Sequence, residues 1–153
     1  MTDTKVLARS PLEVLSKDHQ RIRRLFHEFD RLAGTPSPRR SDLFEEIRDL
    51  LTLHAAVEEE IFYPAVAEVE ESEELVRTAR EEHAVVKRLL DELADLSTAD
   101  SRFEAKLNVL SENVEEHAAR EEAEIFPLAR KLGRERLQEL ASRMEARRTQ
   151  ENH

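Results

Sequence analysis

The strongest constraint on this chain is a duplicated stretch that sets an imidazole and a carboxylate four residues apart inside an apolar run. The first copy reads His54-Ala-Ala-Val-Glu58-Glu-Glu-Ile-Phe-Tyr63-Pro64, and the second reads His117-Ala-Ala-Arg-Glu121-Glu-Ala-Glu-Ile-Phe126-Pro127. The His, the Glu and the Pro all recur after 63 residues. On a helix, positions i and i+4 lie one above the other, so each copy aims two ligand-type side chains in one direction.

The duplication extends upstream. Asp18-His19-Gln-Arg-Ile22-Arg-Arg-Leu25-Phe26 precedes the first copy, and Glu82-His83-Ala-Val-Val86-Lys-Arg-Leu89-Leu90 precedes the second. His19 leads His54 by 35 residues and His83 leads His117 by 34. The chain therefore reads as two copies of a helical hairpin, each with a lone His on its first helix and a His-x-x-x-Glu on its second.

Length and composition agree with an all-α reading. A chain of 153 residues is expected to form one domain with a core that needs no disulfide or small structural staple. Two Gly and five Pro leave little punctuation, so long helices are expected. The formal charge of −10 opposes nucleic acid and anionic membrane as partners. The absence of cysteine removes disulfides, thiolate metal sites and cysteine catalysis. The first residues carry no apolar leader and no run reaches membrane-spanning length, so a soluble, cytoplasmic protein is expected.

Residues 1–9 read as a loose lead-in. Ser10-Pro11-Leu12-Glu13 then looks like a helix start, with Ser as N-cap, Pro in the first turn and Glu closing a capping box. Leu12, Leu15, His19, Ile22, Phe26 and Phe29 form one apolar stripe that runs to about Leu32, before Gly34-Thr35-Pro36-Ser37-Pro38 makes a loop. The second helix is predicted from Ser37 or Ser41 with Leu43, Ile47, Leu50, His54, Glu58 and Ile61 on one face, and Pro64 should end or kink it. Ser72 is predicted to cap a third helix whose seam is Val76, Ala79, His83, Val86, Leu90 and Leu93. The fourth carries Leu107, Leu110, Val114, His117, Glu121 and Ile125, with Gly133 closing it. A further amphipathic helix is predicted over about 134–148 as a cap on the bundle end, or alternatively as a dimer contact in a monomer or weak homodimer. Short connections favour an up-down-up-down four-helix bundle over about 10–133 with that extra C-terminal helix.

In such a bundle the four stripes face one interior, each with a His and two with a Glu. Taken singly, each His is more simply a satisfied core or boundary residue. Four His and two Glu in a repeated register are another matter, because buried carboxylates and imidazoles are costly as free groups and stabilising as metal ligands. Donors without sulfur suit iron, with manganese or zinc as weaker options. The predicted arrangement puts His19 and His54 on one metal, His83 and His117 on the other, and Glu58 and Glu121 across both. His27 lies off the stripe and is assigned to the boundary or surface, and His153 to the tail. Glu59, Glu60, Glu115, Glu116 and Glu122 read as a solvated face, from which one could accept a proton from a ligand His. Tyr63 is the only tyrosine, and helical spacing turns it away from His54 and Glu58, which argues for packing. A bend at Pro64 would instead make it a hydrogen-bond partner of a ligand or a phenolate ligand.

His19, His54-x-x-x-Glu58, His83 and His117-x-x-x-Glu121 resemble the signature of the bacterial hemerythrin-like proteins, the HHE cation-binding family. The resemblance implies a four-helix bundle around a non-haem, oxo- or hydroxo-bridged pair of iron ions. It also implies a small ligand such as oxygen, hydrogen peroxide or nitric oxide. Two departures from the oxygen-carrying members stand out: Ala79 occupies the place of a further His, and Glu121 follows its His by four residues where those members have Asp at five. Together they imply one under-coordinated metal, open beside Ala79, and shift the expectation from reversible oxygen carriage toward a catalase-like or peroxide-reducing activity. The alternative is an iron- or oxygen-sensing or storage protein without turnover.

Overall fold

The computed structural model describes residues 10–32 and 37–151. The lead-in over residues 1–9, the Gly34-Thr35-Pro36 part of the first loop, and His153 lie outside the described residues. Five helices carry the fold: α1 (Pro11–Arg31), α2 (Pro38–Val57), α3 (Glu73–Ala94), α4 (Ser101–Arg120) and α5 (Arg134–Glu151). The first four form the up-down-up-down bundle.

Local chemistry sets most of the boundaries. The Ser10 hydroxyl accepts from Leu12 N at 3.1 Å, with Pro11 next in the first turn. Ser37 repeats this for α2, accepting from Arg39 N at 3.1 Å ahead of Pro38. Asp100 opens α4 by accepting from Arg102 N at 2.9 Å. Ser72 departs from the predicted pattern. It precedes α3 with helical backbone angles, φ −89° and ψ −16°, and its buried hydroxyl has no hydrogen-bond partner among the described residues. An N-cap hydroxyl reaches the next turn from an extended backbone, and Ser72 lacks that conformation.

The second and fourth helices do not end at their prolines. Each widens into a π-helical turn, Glu58–Phe62 and Glu121–Ile125, and resumes as Tyr63–Val66 and Phe126–Ala129. Tyr63 N–H bonds the Glu58 carbonyl and Phe126 N–H bonds that of Glu121, one residue further back than an α-helix would. A proline has no N–H to return to the preceding turn, and here the ladder loosens before Pro64 and Pro127 in place of a stop. Gly133, at φ +91°, ends the fourth helical run in a backbone conformation that suits glycine.

The core has two apolar clusters with a polar layer between them. One is built around Ile22, Phe29, Leu43, Ile47, Phe103 and Leu110. The other holds Leu15, Val57, Phe62, Tyr63, Val66 and Phe126. α5 completes the second cluster with Leu140 and Met144, so it packs on the bundle end as the sequence suggests, over a longer span than 134–148. No helix among the described residues is long and apolar enough to cross a membrane.

Candidate metal centre

The polar layer between the clusters is made of the six residues singled out by register. His19, His54, Glu58, His83, His117 and Glu121 are all buried, Glu58 completely. They fall into two groups that share Glu58: His19, His54, Glu58 and Glu121, and Glu58, His83 and His117. Within each group one ligand atom per residue lies within 4.8 Å of all the others. His27, by contrast, lies exposed on α1.

Each imidazole is aimed by a carboxylate on its outer nitrogen. His54 Nδ1 donates to Asp18 at 2.8 Å, and His117 Nδ1 to Glu82 at 2.7 Å. His19 Nδ1 donates to Glu122 and His83 Nδ1 to Glu59, both at 2.7 Å. With Nδ1 carrying that proton, Nε2 is the atom each ring presents to the interior. The pattern is two-fold: the acid before each lone His holds the other His of its own hairpin, and the acid after each Glu holds the lone His of the opposite hairpin. Asp18 is held in turn by the Arg148 guanidinium of α5, and Glu82 by Arg120 of α4.

Glu59 and Glu122 stay on the solvated face, their side chains 42% exposed, and both accept from an imidazole there, where the sequence reading has one of these acids doing so. Glu60 and Glu115 stay at the surface in ion pairs with Arg147 and Arg23. Asp18 and Glu82 were not foreseen as partners, although a signal existed: each is the acid of an acid-His dipeptide repeated at the same place in both hairpins.

The layer is strongly polarised. Burial disfavours protonation of His54, but the Glu58 charge and the imidazole's hydrogen bonds to Asp18 and Glu58 outweigh it and push its pKa up to about 10. His117 is likewise pushed up to about 10, burial being overcome by Glu121 and Glu58. Burial would raise Glu58, yet the His54 charge and hydrogen bonds from His117, His54 and His83 hold it well below the usual carboxylate range. Asp18 is lowered against its burial by His54 and Arg148.

Tyr63 sits inside the layer, contrary to the packing position that helical spacing predicts. Its hydroxyl lies 2.6 Å from Glu121 Oε2, 3.1 Å from Glu58 Oε1, 3.2 Å from His117 Nε2 and 3.3 Å from His83 Nε2. The angle count failed because it assumes an unbroken α-helix. The π-helical turn brings residue i+5 back over residue i, which turns Tyr63 onto the face of Glu58. One phenolic proton cannot serve four neighbours, and the short contact makes Glu121 its acceptor. Burial, then the charges of Glu58 and Glu121, push the phenol pKa up, so Tyr63 is neutral in this arrangement. The hydroxyl stands beside the His83–His117 pair, where Ala79 had suggested an open position. Phe126 holds the equivalent place in the other hairpin and stacks on His19 at 6.4 Å between ring centres.

The donor set fits a cation. Among the described residues, His19 Nε2, His54 Nε2, Glu58 Oε2 and Glu121 Oε1 are buried without a hydrogen-bond partner. These four atoms of two chemical types converge from three chain segments, with His19 Nε2 3.2 Å from Glu121 Oε1 and His54 Nε2 3.3 Å from Glu58 Oε1, a crowding of nitrogen and oxygen donors that one metal ion would satisfy.

Comparison with known proteins agrees with this geometry. A hemerythrin HHE cation-binding domain protein from Mycobacterium kansasii superposes with a TM-score of 0.81 at 28% identity, covering 93% of this chain and 86% of that one. A DNA nickase from Nostoc sp. is 29% identical over 119 residues, which are 77% of this chain but 33% of that protein. The chain therefore spans about a third of the length of this curated relative. The family described as Hemerythrin HHE cation binding domain matches residues 10–129. The chain belongs to the hemerythrin HHE cation-binding family.

Proposed function

We propose that His19, His54, Glu58, His83, His117 and Glu121 hold two iron ions, and that the protein binds or reacts with a small oxidant such as oxygen, hydrogen peroxide or nitric oxide. One observation carries this reading: four imidazoles, each fixed through Nδ1 by its own carboxylate, aim Nε2 at two buried glutamates whose free oxygens have no other partner. Nitrogen and oxygen donors without sulfur suit iron, with manganese or zinc as weaker fits. Bound there, an iron pair would supply redox chemistry to a small ligand.

The chain's own groups do the rest. Asp18, Glu82, Glu59 and Glu122 lock the ring orientations, and such partners typically affect metal affinity by about 10–100-fold. The two apolar clusters close the layer from the two ends of the bundle. Tyr63 holds a proton against Glu121 Oε2 at the edge of the His83–His117 pair, within reach of a ligand that needs one. The Nostoc relative's name concerns DNA, but only a third of that protein aligns with this chain, whose net charge of −10 opposes a polyanion.

The test is metal analysis of iron-supplemented protein, followed by absorbance spectra and oxygen evolution on adding peroxide. About two irons per chain are expected from two ligand groups. Sustained gas release would identify a peroxide-decomposing enzyme, whereas a stable adduct without gas would identify a binder or sensor. No bound iron would refute the assignment.

A further inference from the structure

The four histidines form the floor of a cleft between α2 and α3 of about 520 Å³. A diatomic or a peroxide needs space on the order of one water, about 30 Å³. The cleft instead falls among sites for organic ligands, which typically run from about 300 Å³ upward. Small residues open it: Ala55 and Ala56 on α2 face Ala84 on α3. Its walls are hydrocarbon from Ile22, Leu51, Val86, Leu90 and Val114.

Charge is uneven along it. Arg48 and Lys87 line the end away from the π-helical turn, and among the described residues neither forms an ion pair. Arg48 rests on the Phe44 ring, 5.9 Å from its centre. Asp91, the acid at that end, forms no ion pair with either cation among the described residues. At the other end the charges are already engaged: Glu59 by His83, Glu60 by Arg147, and Arg80 by the Tyr63 ring, 5.8 Å from its centre, and the Glu59 carbonyl at 3.5 Å. In a chain with 34 acids and 24 bases, two uncommitted cations over an apolar trough favour an anion with an apolar body.

We propose that this cleft binds a monocarboxylate with a hydrocarbon tail, its carboxylate at Arg48 and Lys87 and its tail running down toward His54 and His83. Arg48 lies six residues before His54 and Lys87 four after His83. At 1.5 Å of rise per residue these are spans of roughly 6–9 Å, which a tail of about six to eight carbons covers. The inference adds an organic ligand to the reading above without depending on bound iron.

Octanoate is the probe, titrated into the full-length chain in metal-free and iron-loaded forms, with octanol as the neutral control. Saturable binding is expected, with amide shifts confined to the residues that line the cleft, Arg48 and Lys87 among them. Loss of a charge-assisted contact predicts that octanol binds at least about tenfold more weakly, and that the Arg48→Gln, Lys87→Gln pair weakens octanoate by about tenfold while leaving octanol unchanged. Ala84→Leu should fill the cleft and abolish both; a circular dichroism spectrum checks that each variant folds. Octanol binding as tightly as octanoate, charge variants without effect, or shifts spread over other surfaces would overturn the proposal. Two irons bound with no octanoate binding removes the cleft ligand alone. Octanoate binding in a chain that takes up no iron supports the cleft and removes the metal assignment.

Discussion

Loading the metal centre should release protons, and the number is set by the layer's electrostatics. His54 and His117 are each pushed up to about 10, so near pH 7.5 the metal-free protein carries both as imidazolium. A metal takes the Nε2 lone pair and expels that proton from each ring. About two protons per chain should therefore appear on saturation, whereas two imidazoles with an ordinary pKa near 6.5 would together release only about 0.2. The overall binding constant should rise by about two decades per pH unit below about pH 10, equivalent to ~2.7 kcal/mol per unit. The assay is anaerobic titration of iron(II) into weakly buffered protein with an indicator dye, paired with chelator competition at two or three pH values. A count near three would add Tyr63, converted to phenolate. Full metal uptake with no proton release, or an affinity flat in pH, would refute the claim that these two histidines balance the buried glutamates.

The same shifts carry a stability profile for the metal-free protein. Folded-state pKa values above the unfolded value mean that the histidine contribution is complete below about pH 6.5 and lost as pH rises through about 10. Glu58 and Asp18, held low, add stability above about pH 4 that is lost in acid. Urea denaturation should therefore show a maximum near neutrality; stability still rising between pH 8 and 10 would contradict it. Glu58→Ala removes the residue common to both ligand groups and should lose most bound metal, so retention of two irons would sink the shared-ligand assignment. Asp18→Ala should weaken one metal by about 10–100-fold and Glu82→Ala the other, read as two separated steps in a chelator titration; equal weakening of both metals would count against paired sites. Tyr63→Phe strips a donor from Glu121 Oε2 and should cost the metal-free protein about 1.5–3 kcal/mol by denaturant unfolding, with no loss showing that the 2.6 Å contact is energetically idle.

Much of this was legible because helix periodicity is a strong signal wherever the helix is regular. The stripe from Leu12 to Phe29 and the faces bearing His54 with Glu58 and His117 with Glu121 fold as their spacing predicts, and the six polar residues meet in one layer. For Tyr63 regular spacing gives the wrong face, and the departure from it before Pro64 gives the hydrogen-bonded position the sequence also allows. Its angle was counted through the point where the helix widens, and a five-residue π-helical turn changes the face presented by every residue beyond it. Ser72 had the right chemistry for a cap, but the backbone before α3 turns helical too early. The acids that hold the histidines were harder to separate from a solvated face, since 38% of the chain is charged. Only their repetition beside the same residue types distinguished Asp18 and Glu82. The hold of Arg148 on Asp18 joins segments 130 residues apart and leaves no local trace.

The alternation of carboxylate-to-imidazole bonds within and between the two hairpins carries an ancestral implication. Asp18 to His54 and Glu82 to His117 close inside a hairpin, while Glu122 to His19 and Glu59 to His83 close across the pair. A single hairpin therefore contains half of the bonding scheme, and two identical copies related by a rotation axis would complete it. The chain is organised like a symmetric homodimer whose subunits have been fused head to tail. Once fused, the copies were free to diverge, and Tyr63 opposite Phe126 and Val57 opposite Arg120 mark where they did, with Arg148 of α5 taking up the hold on Asp18.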